Sequence, residues 1–510
     1  MSAGIEQLPL APAGSEGFTR PSGDIVTLLD LTPRDYQDNV FTPLAADKTW
    51  WLPSQDRRTT PFTTCVQQFP FRGPTGFGQK FTFDLKSTSC GDLLLHTILQ
   101  IDLSHWLSDT DILRMESGQY ASAPPAGPGL PPPDQWFYAN SLGTVILERA
   151  EFEVNDQTIE IVDGDFLNVA SLLFQDLNTQ FGLGTDGLGR SPLSSLLQSP
   201  MSKPFPTQGH SLFIPLPFFY SRVKLQEAFP LLACKEGSVR INIQLRPFKE
   251  CVRLLSGRRT GPNACDETPL GKTLTATDTK ASPPTTIQLQ AAAVIPQFKN
   301  IQLITYAAHT DGQVRQKILR NPFEVLTRNV TTFHFTEPLK YVTNKSSSDT
   351  IQVILPLELN HPMEEIVWFV RRKAVQDNNE WTNYSAVMSA EYDATFNPTR
   401  PMLESASIQF NGVEVVKAEE QWFRQHIALR HKGGIAAYEN FIYGYSFSNT
   451  PGEHQPSGTA NASRLQNIRL TLNINPPGGK QDQAWEVKVF VVALQWLRFQ
   501  DGLSNKMYTD

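Results

Sequence analysis

The sequence is poor in cysteine, and the spacing of its cysteines excludes the common structural uses of that residue. Five cysteines, an odd number, are spread irregularly over 510 residues, and no two of them form a CxxC pair. A zinc ribbon is therefore excluded, and a disulfide framework is not expected. We interpret all five as reduced thiols of a cytosolic product: Cys65, Cys90, Cys234, Cys251 and Cys265.

Long apolar runs are missing as well. The longest mainly apolar stretch, Trp485 to Phe499, is interrupted by Glu486, Lys488, Gln495 and Arg498, so it is too polar for a membrane-spanning helix. The first six residues, Met1 to Glu6, lack the charged segment and apolar run of a signal peptide. We therefore expect a soluble chain that is made in the cytosol.

The chain has no excess of positive charge and no basic tail. Its net charge is −7, whereas a protein that packages nucleic acid would neutralise phosphates with clustered Lys and Arg. The densest basic group is Arg371, Arg372 and Lys373, which polar residues follow at once, and we interpret it as a solvated loop edge. Direct contact with nucleic acid is not expected.

Motifs that carry catalytic chemistry are scarce. The sequence contains neither HExxH nor GxSxG. Residues Gly182 to Gly187 match GxGxxG in letters but follow a helical stretch and run into Arg-Ser-Pro, which favours a loop. The acid pairs Glu364-Glu365 and Glu419-Glu420 are typical of exposed faces. We predict no catalytic, cofactor-binding or metal-binding residues and no cofactor, although two carboxylates meeting in a cleft, as in a glycosidase, stay open.

Proline and phenylalanine, in contrast, are abundant. The 38 prolines exceed the average usage of about 5 %. Proline interrupts helices and central strands, so this number indicates many turns between short elements. The 31 phenylalanines suit sheet faces. The composition predicts an all-β chain, and its length fits two domains.

Strand patterns appear at several places. Residues Phe81 to Lys86, Val239 to Arg246 and Ile468 to Asn475 alternate apolar and polar side chains, which is the period of a half-buried strand. The last two octets both end against a proline, Pro247 and Pro476. This coincidence suggests an internal duplication.

The duplication extends upstream of these octets. Residues Phe152 to Ile159 align with Ile408 to Val415, and both predict a hairpin with an Asn-led turn. Each hairpin precedes a candidate amphipathic helix and an aromatic segment. The four features therefore occur twice in the same order, with the helices at 165–174 and 419–427 and the aromatic segments at 218–221 and 443–446.

The remaining segments connect or extend the two copies. Residues 1–56 are rich in Pro, Gly and Asp and predict an extended N-terminal arm. Asp311 to Arg320 has helical character and predicts a helical linker between two β domains. The inserts Met115 to Gln135 and Ser256 to Pro284 exceed ordinary connection lengths, so we expect them to form surface excursions.

One segment near the C-terminus resembles a known family. Tyr443 to Ser448 and Glu453 to Leu465 closely resemble the second-domain signature of major capsid proteins of nucleocytoplasmic large DNA viruses. The block Gln455-Pro456-Ser457-Gly458-Thr459 carries most of the likeness, together with Asn461, Ser463 and Arg464. Weaker matches lie at 76–80, 89–93, 360–362, Trp368 and 408–412, so the likeness runs from about residue 60 to residue 510.

The resemblance implies an all-β fold of two tandem eight-stranded jelly-roll β-sandwiches with long loop insertions and short helices. The expected organisation is an arm at 1–56, a first jelly roll at 57–308, a helical linker at 309–327 and a second jelly roll at 328–510.

The implied function is structural rather than enzymatic. Homotrimeric capsomers of pseudo-hexagonal outline would tile the facets of an icosahedral double-stranded DNA virus shell, assembled in the host cytoplasm. The implied partners are the chain itself in the homotrimer, neighbouring trimers, minor capsid and penton proteins, and the internal viral membrane through minor proteins. This sequence departs from compact family members in its arm and longer loops, so functions carried by loops are not transferred.

Two alternatives remain. A carbohydrate-binding or carbohydrate-cleaving β-sandwich protein would need a cleft with aromatics and paired acids, and such proteins usually carry a signal peptide. A minor or penton capsid protein more often carries one jelly roll. The oligomeric state separates the main hypotheses, since a capsomer is a stable homotrimer.

Overall fold

The structure is a computed structural model of the chain. It describes residues 60–104, 107–122, 135–175, 188, 211–222, 228–255, 270–295, 297–336, 350–388, 398–431, 441–453, 455–477 and 484–507. The predicted arm at 1–56, the GxGxxG match at 182–187 and Cys265 lie outside these residues.

The first half of the chain is built mainly of strands. In chain order they are β1 (Phe62–Pro70), β2 (Lys80–Leu85), β3 (Leu93–Asp102), β4 (Tyr120–Ser122), β5 (Gln135–Tyr138), β6 (Leu147–Val154), β7 (Gln157–Asp163), β8 (Ser211–Pro215), β9 (Val239–Leu245), β10 (Val252–Leu255), β11 (Thr273–Asp278), β12 (Thr285–Gln290) and β13 (Asn300–Thr310). Eight of them form two four-stranded antiparallel sheets, in the orders β1-β13-β3-β8 and β2-β9-β6-β7.

The second half repeats this arrangement. Its strands are β14 (Phe323–Phe335), β15 (Ile351–Leu357), β16 (Pro362–Arg372), β17 (Leu403–Phe410), β18 (Val413–Glu419), β19 (Ile442–Ser446), β20 (Ala460–Asn461), β21 (Ile468–Ile474), β22 (Trp485–Gln500) and β23 (Leu503–Lys506). One sheet has the order β14-β22-β16-β19, with β20 and β23 attached, and the other has the order β15-β21-β17-β18.

Short helices connect the strands. They are α1 (Ser87–Cys90), α2 (Asp109–Glu116), α3 (Leu142–Ile146), α4 (Gly164–Leu173), α5 (Phe248–Cys251), α6 (Gly312–Arg320), α7 (Lys373–Asp377) and α8 (Glu420–Arg430), with 3₁₀ turns at Leu231–Cys234 and Ala462–Arg464. None of the helices in the described ranges is long and apolar enough to cross a membrane. The all-β prediction is confirmed, and the apolar run at 485–499 is the central strand β22.

The two halves share one strand order. If the eight main strands of each half are counted along the chain, one sheet has the order 1-8-3-6 and the other 2-7-4-5. In both sheets, strands that are distant in sequence lie next to each other, as expected for Greek-key connections. Strands predicted from alternation at 81–86, 239–246 and 468–475 are confirmed as β2, β9 and β21.

The duplicated hairpins match in detail. Asn155 and Asp156 have φ values of 54° and 61°, and Asn411 and Gly412 have values of 53° and 83°. Positive φ at both central residues matches the right-handed twist of the flanking strands. Both hairpins also carry a register shift two residues before the turn, at Phe152/Glu153 and at Ile408/Gln409. The predicted Asn-led hairpins are confirmed.

The helices that follow the hairpins differ from each other. Helix α8 is amphipathic and buries Phe423 and Ile427. Helix α4 is buried at every residue, so the prediction of an amphipathic helix was wrong for the first copy. The aromatic segments are not equivalent either. Residues 443–446 lie within β19, whereas 218–221 form a turn after β8.

The long inserts of the first half form sheets of their own. Strand β11 pairs with β4 on one side and with β12 on the other, and β5 pairs with β10. A small separate core lies beneath them and includes Leu107, Phe248 and Leu289. The sequence predicted surface excursions here and did not identify these strands, because segments as short as Tyr120–Ser122 have no measurable periodicity.

The predicted linker contains helix α6, which Asp311 caps by accepting a hydrogen bond from the Gln313 N–H. None of the residues of α6 is buried. Strand β14 begins at Phe323, inside the range 309–327 expected for the linker, because its pairing with β22 extends to Phe499. The four described cysteines carry free thiols.

Candidate functional site

The two halves meet at an interface that contains buried charges. Arg371, at the end of β16, is 2 % exposed. Its guanidinium donates to both carboxylate oxygens of Asp165 at 2.8 and 3.2 Å and to Glu486 Oε1 at 2.7 Å. The Lys488 ammonium lies 2.7 Å from Asp165 Oδ2 and 2.5 Å from Asp163 Oδ2. We call these five residues the Arg371 cluster. It joins helix α4 of the first half to β16 and β22 of the second.

Local structure explains how these side chains come together. Asp163 caps helix α4, accepting from the Phe166 N–H at 2.7 Å, which places Asp165 in the first turn. Glu486 and Lys488 are two residues apart on β22 and therefore point to one face of the sheet. Arg371 pairs with Glu486 in the ladder between β16 and β22. Three elements thus direct their charges at one point.

The environment keeps the acids of this cluster ionised. Burial alone raises the pKa of Asp165, but the charges of Arg371 and Lys488 outweigh it and hold that pKa well below its usual range. Burial also raises the pKa of Glu486, and the hydrogen bond with His334 and the charge of Arg371 lower it to about 2. A buried charge whose partner is removed is strongly destabilising. The cluster therefore depends on both halves being in place.

A second buried group crosses the interface around Glu160. Its carboxylate pairs with Arg222 and accepts from the Phe219 N–H at 2.7 Å and the Val330 N–H at 3.1 Å. Arg222 in turn donates to the Arg328 carbonyl at 2.8 Å. Burial raises the pKa of Glu160, and Arg222 with the two N–H donors acts against that rise. Two side chains of the first half, Glu160 and Arg222, thus bind the backbone of strand β14 in the second half.

Uncharged groups extend the interface toward α5. The Asn379 amide donates to the carbonyls of Lys249 and Val252, both at 2.7 Å. The Trp381 indole N–H donates to the Glu250 carbonyl at 2.9 Å. These bonds satisfy buried backbone acceptors of the first half with side chains of the second.

Aromatic rings fill the space between the polar groups. Phe166 lies 5.3 Å from Phe490, and Phe229 lies 5.7 Å from Phe499, measured between ring centroids. Their residues belong to one continuous core cluster that spans both halves. An interface with core-like packing and paired charges holds the halves in one relative orientation.

The structure corrects two sequence interpretations at this interface. Arg371 is not part of a solvated loop edge, because the first half covers the end of β16. Glu364 and Glu365 are not exposed: they lie 2.6 Å from Arg328 Nε and 2.7 Å from His431 Nε2, respectively. The other predicted exposed pair differs, since Glu419 is exposed and Glu420 is half-buried. The sequence did contain a signal for these buried charges, namely acidic and basic residues within a strand that is otherwise apolar.

The segment that carries the family likeness has a structural role. The Ser457 hydroxyl lies 2.6 Å from the Ser448 hydroxyl and accepts from the Thr450 N–H at 2.9 Å. Gly458 has a φ of +147°, and a Cβ there would lie 2.7 Å from the Phe447 carbonyl oxygen. The loop is therefore fixed in one conformation. Beside it, the Arg328 guanidinium donates to the Glu453 carbonyl, which links this loop to the interface strand β14.

Within the described part of the chain, no group of three or more His, Cys, Asp and Glu side chains is arranged to hold a metal ion. The buried carboxylates of the interface are each engaged by a cation, a histidine or N–H donors, so their chemistry is that of structural ion pairs. The prediction of no catalytic, cofactor-binding or metal-binding residues stays a prediction.

Two family models match the chain. Residues 50–294 match the model described as major capsid protein N-terminus, and residues 315–504 match the model described as large eukaryotic DNA virus major capsid protein. Together they cover most of both halves, and the gap between them, residues 295–314, contains β13 and the first residues of α6.

Curated relatives and solved structures agree with these matches. The chain is 24 % identical over 476 residues to the major capsid protein of Pyramimonas orientalis virus, covering 89 % of this chain and 92 % of that protein. It is 22 % identical over 558 residues to the major capsid protein of Phaeocystis pouchetii virus, covering 91 % and 95 %.

Among solved structures, VP54 of PBCV-1 superimposes with a TM-score of 0.62 at 17 % identity, covering 91 % of this chain and 99 % of VP54. The Faustovirus major capsid protein superimposes with a TM-score of 0.58 at 11 % identity, covering 92 % and 94 %. These structural matches establish a shared fold.

Proposed function

Because the chain belongs to the family of major capsid proteins of large eukaryotic DNA viruses, a structural component of the virion capsid, we propose that it forms homotrimeric capsomers of pseudo-hexagonal outline. These capsomers tile the flat facets of an icosahedral double-stranded DNA virus shell. The observation that carries this proposal is the repeated strand order of two halves joined by buried ion pairs.

The duplicated fold suits packing on a hexagonal lattice. Two halves with the same strand order present similar outlines, and the Arg371 cluster supports a single orientation between them. Three copies of such a chain around a threefold axis place six similar units in a ring, so a trimer packs on a hexagonal lattice with nearly equivalent contacts. Flexibly joined halves would not maintain such contacts over a facet.

The proposal keeps the domain division expected from the sequence. The first jelly roll spans 57–308, the linker 309–327 and the second jelly roll 328–510, with an arm at 1–56. The match of two separate family models to 50–294 and 315–504 supports two units of this kind.

The partners follow from the position in a shell. The chain contacts itself within the trimer, neighbouring trimers, and minor capsid and penton proteins, and it reaches the internal viral membrane through minor proteins. The chain makes no direct contact with nucleic acid, which its net charge of −7 supports. Assembly takes place in the host cytoplasm.

The chain is not an enzyme in this proposal. A glycosidase needs two free carboxylates facing a substrate across a cleft. Both acids of the buried pair Glu364-Glu365 are engaged internally, Glu364 with Arg328 and Glu365 with His431. The carbohydrate alternative is therefore not favoured by these residues.

Light scattering coupled to size-exclusion chromatography tests the oligomeric state of the full chain. A stable mass of three chains, about 171 kDa from 57.1 kDa each, is the expected result. A monomeric mass at every concentration measured would overturn the proposal of a trimer. Images of the assembled particles would then show whether the trimers form pseudo-hexagonal arrays.

A further inference from the structure

The hairpin and helix of each half correspond residue by residue. The turn residue Asn155 corresponds to Asn411, an offset of 256 positions, and the register shifts of both hairpins lie at the same offset. The fifth strand and following helix of the first half, β7 and α4, thus correspond to β18 and α8 of the second. We call β7 with α4, and β18 with α8, the helix side of each half.

The two helix sides differ in what covers them. On the first, Ile159 and Phe166 are almost completely buried, with the Ile159 carbonyl bonded to Asn329 and the Phe166 ring packed on Phe490 of the second half. Their counterparts at the offset of 256 are Val415 and Trp422. These are 44 % and 41 % exposed in the isolated chain.

The opposite surface of each half shows the same contrast. The outer face of the sheet of order 1-8-3-6 is called here the sheet face. In both halves, the pairing of strand three with strand eight contains a one-residue register shift. In the first half the shift lies beside the pair Tyr306 and His96, and in the second half it lies beside the pair Val492 and Glu365. Tyr306 therefore corresponds to Val492.

The sheet face of the second half is covered and that of the first half is not. Val330 pairs with Val492 in the second half, and Val66 pairs with Tyr306 in the first. Val330 and Val492 are buried, and the Val330 N–H donates to Glu160 of the first half. Val66 and Tyr306 are 51 % and 40 % exposed.

From these correspondences we infer that the helix side of the second half docks on the sheet face of the first half of another copy of the same chain. The contact repeats the one already made within the chain, where the helix side of the first half covers the sheet face of the second. The residues that correspond to the buried interface are apolar, yet they are exposed on the helix side of the second half and on the sheet face of the first half. This inference rests on the proposed function, because it names the surfaces that join the chains of the trimer.

A contact of this kind is head-to-tail, since two different surfaces meet. Such contacts produce closed rings when the rotation closes, and a ring of three chains uses every helix side and every sheet face. The intrachain contact between Glu160 and the Val330 N–H predicts that Val416 of one copy lies against Val66 of the next. Apolar residues replace the charged group there, which suits surfaces that are solvated before assembly.

Two double variants of the full chain test the assignment. Val415→Asp with Trp422→Glu alters the helix side, and Val66→Asp with Tyr306→Asp alters the sheet face. Each places charges in the apolar contact, so the concentration needed for assembly should rise at least about tenfold. The matched control is Leu113→Asp with Val294→Asp, at residues that are also exposed and apolar but lie on neither surface. The control should assemble as the wild type does, and circular dichroism should show the same fold in all three.

Mixing the two altered proteins tests the head-to-tail arrangement. Each keeps one intact surface, so an equimolar mixture should form a dimer of one chain of each kind, whereas each protein alone stays monomeric. Light scattering measures both masses. The surface assignment is overturned if either altered protein remains trimeric. It is also overturned if the trimer dissociates only when residues 1–56 are removed. In both cases the proposed function stands. A mixture that stays monomeric overturns the head-to-tail contact. A monomeric wild type overturns the proposed function itself.

Discussion

Replacement of Arg371 by methionine should destabilise the protein more than any loss of a surface charge. The variant keeps a long side chain and removes the cation that three hydrogen bonds connect to Asp165 and Glu486. Removing one partner of a buried ion pair costs about 3–5 kcal/mol. Lys488 still contacts Asp165, and His334 still contacts Glu486, so we expect the lower end, about 3 kcal/mol.

The shift in melting temperature follows from the size of the unit that unfolds. The unfolding entropy is about 2.1 cal/mol/K per residue, which amounts to about 0.9 kcal/mol/K if Pro61–Asp510 unfolds as one unit. A loss of about 3 kcal/mol then lowers the melting temperature by about 3 °C. If the second half unfolds separately, its roughly 190 residues give a decrease of about 8 °C. Scanning calorimetry distinguishes the two cases by the number of transitions.

A surface arginine and a double variant provide the controls. Arg240→Met removes an exposed guanidinium that pairs with Asp84 and Asp156, and it should leave the melting temperature unchanged, since exposed ion pairs contribute little. Asp165→Asn combined with Arg371→Met should be less destabilised than the sum of the two single variants, because neither charge is then left without its partner. An unchanged melting temperature in Arg371→Met, or strictly additive effects, would refute the idea that these residues act as one unit.

Three further predictions concern acid, one glycine and the arm. The lowered pKa of Glu486 means that its stabilisation is present above the unfolded-state pKa of about 4.5 and is lost as the pH falls toward about 2. The melting temperature should therefore fall less steeply with decreasing pH in Glu486→Gln than in the wild type, and parallel curves would contradict this. Gly458→Ala should cost about 1–3 kcal/mol in urea unfolding because of its positive φ and the Phe447 carbonyl, whereas Gly312→Ala, with open space around its Cβ, should be neutral or stabilising. Deletion of 1–56 should leave trimers in solution but impair shell assembly, and normal particles from the truncated chain, seen by electron microscopy, would show that the arm is dispensable.

Much of the local structure could be predicted from short-range patterns. Alternation with a period of two located β2, β9 and β21, and the Asn-led turns located both hairpins, because these signals depend on neighbouring residues alone. The duplication could be recognised for the same reason. The strands of the inserts were missed because Tyr120–Ser122 and its partners are too short to show a period, and pairing between them depends on distant segments.

The candidate site could be predicted only in part. The family likeness identified the segment around Ser457 and Gly458, yet its physical role, a fixed loop beside Arg328, became visible only in the tertiary structure. Arg371 and Glu364 were interpreted as solvated because charged residues usually are. Their partners lie far away in sequence, Asp165 by 206 positions and Arg328 by 36.

The amino-acid sequence by itself determined strands β2, β9 and β21, the two Asn-led hairpins and the duplication of features along the chain, since each depends on the conformational preferences of adjacent residues. Only the tertiary structure decided which faces of the repeated halves are covered. The same positions are buried in one half, as at Phe166, and exposed in the other, as at Trp422. The physical reason is that burial at these positions comes from the docking of the other half, whose approach no local pattern encodes.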